Sequence, residues 1–243
     1  MSRWKPDAAG RLTAAAITLF DQQGYEDTTV AEIAAAAGLA KRTFFRYFAD
    51  KREVLFRGSQ ELEHRWLEAV AAAPSDADPL AAAIAGFDPV AELFVARHAF
   101  ARIRARIIDS NPELRERELI KLQNLAAAIK SALVDRGVSH NAAILAAQAS
   151  VTVFHVAFAR WVQQDDPAAL RRLMDESLDE LRAVTQESAI AWPVRVAGLR
   201  CRVSATQTSC CRCSIRAYNC WYRAARCTVR RGPCLPSETT CRC

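Results

Sequence analysis

The chain has 243 residues, of which 51% are hydrophobic, with only eight Gly and nine Pro; that is enough for one domain and a smaller companion, with a sizeable core and few chain breakers. Its net charge of +6 does not by itself point to nucleic acid, because ten Arg against one acid, Glu238, lie from Pro193 onward and the first 192 residues carry −3. No run approaches the roughly 18 uninterrupted apolar residues of a membrane span, and the opening MSRWKPDAAGRL lacks the apolar stretch of a signal peptide, so the expected compartment is the cytoplasm, at the nucleoid, with no membrane partner.

After a polar arm over residues 1–10, Leu12, Ala15, Ile17 and Leu19–Phe20 give a first helix, from about Arg11 to Gln23, its apolar face, and Gly24 ends it. A second helix opens at Thr29 with Glu32 three residues on, the spacing of a reciprocal capping box. Val30, Ile33, Ala34 and Ala37 form its inner face, Gly38 makes a turn, and Leu39 plugs the core beneath. A third helix runs from about Lys41 to Tyr47. Phe44 and Phe48, four apart, share its inner side, which leaves Lys41, Arg42, Thr43, Phe45 and Tyr47 outside. Asp50 and Glu53 repeat the capping-box spacing and predict a long fourth helix from Asp50 through Val54, Leu55, Leu62 and Trp66 to about Ala72.

Beyond a loop at Pro74–Pro79, a short helix is expected over Leu80–Phe87. Asp88-Pro89 reads as an N-cap followed by proline at the first helical position, opening a helix to about Asp109. Asn111-Pro112 opens the next, stopped near Arg136 by Gly137. Ser139 leads into an apolar helix, about Asn141 to Gln163, and Asp166-Pro167 opens a last one reaching about Glu187. No strand period occurs. The expected fold is all-α: a three-helix helix-turn-helix domain over residues 1–56, a larger helical ligand-binding and dimerisation domain over 57–191, and a Cys/Arg-rich tail over 192–243.

The tail holds all nine Cys, five of them (Cys213, Cys220, Cys227, Cys234, Cys241) at every seventh position, and no His. Zinc sites want closer pairs, so no metal is expected. The abrupt shift near Trp192 from Ala, Leu, Asp and Glu to Arg, Cys, Ser, Thr and Pro is what GC-rich coding DNA gives when read out of frame. The tail is expected to be disordered or frameshift-derived.

A helix-turn-helix needs a rigid apolar seat, a tight turn, and basic or hydroxyl groups at the groove. Ile33, Leu39, Phe44 and Phe48 supply the seat and Gly38 the turn, while Lys41, Arg42, Arg46, Lys51 and Arg52 against Asp50 make a compact positive patch. Arg42 suits bidentate pairing with guanine. Thr43 suits a phosphate or a thymine methyl, and Tyr47 and Lys51 suit phosphates. A homeodomain is disfavoured, since its third helix wants an asparagine that is absent here.

The ordered set Thr29…Ile33-Ala34…Ala37-Gly38-Leu39, then Thr43-Phe44-Phe45-Arg46-Tyr47-Phe48, then Lys51 and Glu53 resembles the TetR family of bacterial repressors over about residues 11–56. The body to about residue 190 resembles that family in architecture only. The resemblance implies DNA contacts at Thr29, Lys41, Arg42, Thr43, Phe45, Tyr47 and Lys51. It also implies a homodimer on a pseudo-palindromic double-stranded operator, and repression relieved by a small apolar effector, with no catalytic residue and no cofactor. Three positions depart from the family pattern: Arg42 stands where a small residue is common, Phe45 where a tyrosine is usual, and Ala40 replaces a serine cap.

The last two helices supply the expected dimer seam, with Ile144, Leu145, Gln148, Val151, Thr152, His155, Val156, Ala159 and Trp161 on one and Leu170, Leu173, Met174, Leu178 and Leu181 on the other. Candidate effector-lining residues are Phe94, His98, Ile103, Phe154, His155 and Phe158. Arg97, Arg102, Arg104 and Arg106 would either meet an acidic ligand or form a solvated face. The competing classes are an architectural DNA binder without a ligand and a helical enzyme. For the enzyme, the sequence offers no nucleophile–base pair, phosphate loop or metal spacing.

Overall fold

The computed structural model describes residues 7–186, and among them every regular element is helical. The expected end of the last helix at Glu187, the start of the N-terminal arm and the tail from Trp192 lie outside the described residues. The helices are α1 (Ala8–Gln23), α2 (Val30–Ala36), α3 (Lys41–Tyr47), α4 (Ser59–Ala72), α5 (Pro79–Ile84), α6 (Phe87–Val95), α7 (His98–Asp109), α8 (Pro112–Asp135), α9 (His140–Trp161) and α10 (Leu170–Gln186), with a 3-10 turn at Glu53–Phe56 and another at Pro167–Ala169.

Two apolar clusters organise these elements. The first gathers Leu12, Ile17, Phe20, Ile33, Phe44, Phe48, Val54, Leu55 and Phe56 and also takes in Ile107, Ile108 and Leu114 from α7 and α8. The second joins α4, α5, α6, α8, α9 and α10 around Trp66, Phe87, Ile129, Phe154 and Trp161. Length and composition alone would let α9 cross a membrane. It is the central helix of the second cluster, with Ala143, Ala147, Val151, Phe154, Ala157 and Trp161 all buried.

Two helices expected as single pieces are broken. Asp50 does cap the stretch after α3, accepting from the amides of Arg52 (2.8 Å) and Glu53 (3.1 Å). The second half of a capping box is missing, because the Glu53 carboxylate turns away to Arg117 (2.7 Å) and Lys121 (3.1 Å) on α8. The first turn is therefore a short 3-10 segment, and the helix restarts at Ser59 after Gly58, glycine being a poor helix former. The helix predicted from Asp88 to Asp109 likewise starts at Phe87 and breaks at Ala96–Arg97, where the chain turns by 98°. Asp88 is not a cap; its carboxylate accepts from Arg171 on α10.

Gly86, at the bend between α5 and α6, is required by a close approach. An added Cβ would lie 2.3 Å from the Trp66 indole. That indole is fully buried, donates to the Ala83 carbonyl (2.8 Å) and stands edge-on to Phe87 and Phe154. Gly86→Ala is expected to cost about 2–3 kcal/mol, at the upper end for overpacking, as a lowered urea midpoint. A midpoint within error of wild type would show that Trp66 can move aside.

Candidate nucleic-acid interface

The α2–α3 unit is built from local signals. Thr29 accepts from the Glu32 amide (3.2 Å) while the Glu32 carboxylate accepts from the Thr29 amide (2.8 Å), a complete capping box. Those bonds, the Thr29 amide first and its hydroxyl second, hold the Glu32 carboxyl below the ordinary carboxylate range. At the other end Leu39 N–H donates to Ala34 O (2.8 Å) and Gly38 N–H to Ala35 O (2.9 Å), a Schellman turn. Gly38 has φ +65°, which side-chain-bearing residues rarely adopt. Arg11 of α1 donates to Ala37 O at 2.6 Å, so a further end carbonyl of α2 is satisfied from outside.

α3 presents two faces. Phe44 and Phe48 are buried, 5.4 Å apart between ring centres. Lys41, Arg42, Phe45, Arg46 and Tyr47 are exposed, and Thr43 is half-buried. Ala40, as expected, caps α3 without a side-chain bond. Lys41 and Arg42 make no ion pair among the described residues. Arg46, absent from the expected contact set, stands one turn after Arg42 on the same outward face. Its guanidinium lies 4.9 Å from the Tyr47 ring centre and donates to the Tyr47 hydroxyl (3.0 Å). The i, i+4 spacing from Arg42 was the signal that would have found it.

Thr29 is exposed, with its hydroxyl engaged in the capping box. Lys51 is placed differently from the phosphate contact its charge suggested. Its ammonium donates to the carbonyls of Tyr25 (2.7 Å), Glu26 (3.2 Å) and Thr28 (3.3 Å) and lies 4.2 Å from the Tyr25 ring centre. Burial pushes the Tyr25 phenol above its ordinary value, keeping that ring neutral beneath the cation. At Asp50, burial would raise the carboxyl. The Arg52 side chain and the Glu53 and Arg52 amides outweigh it and hold the group below its usual range.

The candidate effector residues do not all meet. Phe94, Phe154 and Phe158 pack mutually and against Trp161, and the buried His98 ring lies 4.5 Å from the Trp161 ring. Ile103 packs on the first cluster instead, and His155 is exposed. The arginines expected to meet an acidic ligand or solvent are mostly paired within the chain: Arg102 with Asp165, Arg104 with Glu118 and Arg106 with Asp21. On α9, Val151 and Trp161 are buried within the chain, whereas Leu145, Gln148, Thr152, Val156 and Ala159 stay exposed.

The sequence profile of bacterial regulatory proteins of the tetR family matches residues 12–57. The HTH-type transcriptional regulator TcmR of Streptomyces glaucescens is 40% identical over 80 residues, which are 33% of this chain and 35% of that protein. The putative mycofactocin biosynthesis transcriptional regulator MftR of Mycobacterium tuberculosis H37Rv is 36% identical over 102 residues, 41% of this chain and 50% of that one. The matches thus span between a third and a half of those curated relatives. Among solved structures, the fatty acid degradation regulator FadR from Bacillus halodurans is 22% identical at a TM-score of 0.49, over 74% of this chain and 99% of that chain. Residues 12–57 thus form an N-terminal domain of the tetR family of bacterial regulatory proteins.

Proposed function

We propose that this chain is a ligand-responsive transcriptional repressor that grips duplex DNA as a homodimer, with residues 1–56 as the reading head and 57–191 as the effector and dimer body. The observation that carries the reading is the outer face of α3: exposed Lys41 and Arg42, without an ion pair among the described residues, next to Arg46, Phe45 and Tyr47, on a helix whose other face is locked into the core. Thr29, Thr43 and Tyr47 border that face and suit backbone oxygens. One head reads only a short half-site, so useful selectivity needs two on a pseudo-palindrome. The exposed stripe Leu145, Gln148, Thr152, Val156, Ala159 on α9 is the surface proposed to meet a second copy. The aromatic group Phe94, Phe154 and Phe158, with His98 at its edge, is where an apolar effector would insert.

Selection of binding sites from a random duplex pool, followed by footprinting, tests the reading. A symmetric protected site in which Arg42→Ala relaxes one position per half-site, at about 1–3 kcal/mol, is expected. Lys41→Ala should weaken all sequences alike and reduce the salt slope by about one per monomer. Salt-sensitive binding with no selected sequence would instead indicate an architectural protein.

A further inference from the structure

We propose that Phe45 reads the C5-methyl group of a pyrimidine, in the first instance thymine, in the major groove. The inference rests on the DNA-binding reading above and names a specificity-determining residue within it.

Phe45 is 52% exposed, the most exposed aromatic side chain of α3, and it sits amid cations. A phenyl ring has no group to hydrogen-bond a phosphate or a base edge, so its contribution at a groove is apolar contact. The one apolar group that major-groove base edges offer is the methyl on C5 of thymine. The ring stands edge-on, at 79° and 5.5 Å between centres, against Phe44, which is fully buried. That contact braces one side of the ring and reduces the ordering left to oppose binding. Its place in the helix agrees. Phe45 lies three residues after Arg42 and four after Lys41, hence beside both on the helix surface. An arginine suited to guanine and a phenyl suited to a methyl one turn apart would read neighbouring base pairs.

The test uses the full chain and a duplex selected from the random pool. Each thymine is replaced singly by deoxyuridine, which deletes the methyl and nothing else, and binding is measured at fixed salt. Removing one buried methyl should cost about fourfold per half-site, and about fifteenfold when both symmetry-related thymines are replaced, if the two act independently. In Phe45→Ala the penalty at that thymine should vanish while penalties elsewhere persist. Phe45→Leu, still apolar, should retain most of it. Where selection yields cytosine at the position, 5-methylcytosine should bind more tightly than cytosine, which separates the two sources of the methyl. A uracil penalty that survives Phe45→Ala, or a selected site with neither a uracil-sensitive thymine nor a cytosine at which 5-methylation tightens binding, overturns the inference and leaves the regulator reading intact. Failure to select any sequence overturns both.

Discussion

Arg104→Met is expected to lower the unfolding free energy by about 2–3 kcal/mol, read as a fall in the urea midpoint, although Arg104 lies on α7, far along the chain from the helix-turn-helix. The side chain is only 16% exposed. Its Nε donates to the Leu55 carbonyl at 2.7 Å, a terminal nitrogen donates to Glu118 at 2.8 Å, and the guanidinium lies 5.0 Å from the Phe56 ring centre. In a continuous helix the Leu55 carbonyl would accept from Ser59. The break before α4 removes that donor, and the planar fork of Arg104 replaces it while also meeting Glu118. Methionine fills similar space but leaves a carbonyl and a carboxylate without their donor. Breaking a fully buried pair costs about 3–5 kcal/mol, and the partial exposure of Glu118 lowers that figure. Arg104→Lys should recover only part, since a point charge does not reproduce the fork. Arg102→Ala, which removes an exposed pair with Asp165, is the control and should cost under about 1 kcal/mol. Equal losses from Arg104→Met and Arg102→Ala would refute the role assigned to Arg104.

That residue also marks where the sequence stopped being informative. The α2–α3 unit was legible because each of its signals is local: Thr29 with Glu32, Gly38 at its turn, Phe44 with Phe48. Each acts within four residues, so spacing alone determines the geometry. The helix breaks were not legible, because their causes are distant. Asp50-x-x-Glu53 and Asp88-Pro89 have the spelling of helix starts, but Glu53 is claimed by Arg117 and Lys121 and Asp88 by Arg171. The arginines of α7 read as a ligand patch or a solvated face for the same reason. Arg106 meets Asp21 of α1, and Asn111, besides capping α8, donates to Glu26 at 2.6 Å. Those partners lie 85 residues away in the chain. The consequence is physical: Ile107, Ile108 and Leu114 complete the core under α1, so the helix-turn-helix is seated on α7 and α8 rather than standing alone.

Lys51→Met should weaken DNA binding about tenfold without changing its salt dependence. A lysine just after a recognition helix is ordinarily assigned to a phosphate, and a lost phosphate contact reduces the salt slope by about one per monomer. Here the ammonium already has three carbonyl acceptors at Tyr25, Glu26 and Thr28 and the face of a neutral phenol. Those carbonyls belong to the connection between α1 and α2, so the lysine straps the end of α3 to the start of α2 and fixes the angle at which α3 is presented. Hydrogen bonds from a charged donor contribute about 1.5–3 kcal/mol each when buried; because this site is partly open to water, about 2 kcal/mol in total is expected for the strap. Loss of the strap lowers the fraction of heads held in the binding pose, which raises the apparent Kd in proportion. It leaves the number of neutralised phosphates as it was. The discriminating measurement is the slope of log K against log salt for Lys51→Met beside Lys41→Ala, with the urea midpoint of each. A positioning lysine gives a lowered midpoint and the wild-type slope, whereas Lys41→Ala gives the wild-type midpoint and a reduced slope. If Lys51→Met instead shows the wild-type midpoint and a slope reduced by about one, the ammonium leaves its carbonyls for a phosphate on binding, and the strap is not what orients α3.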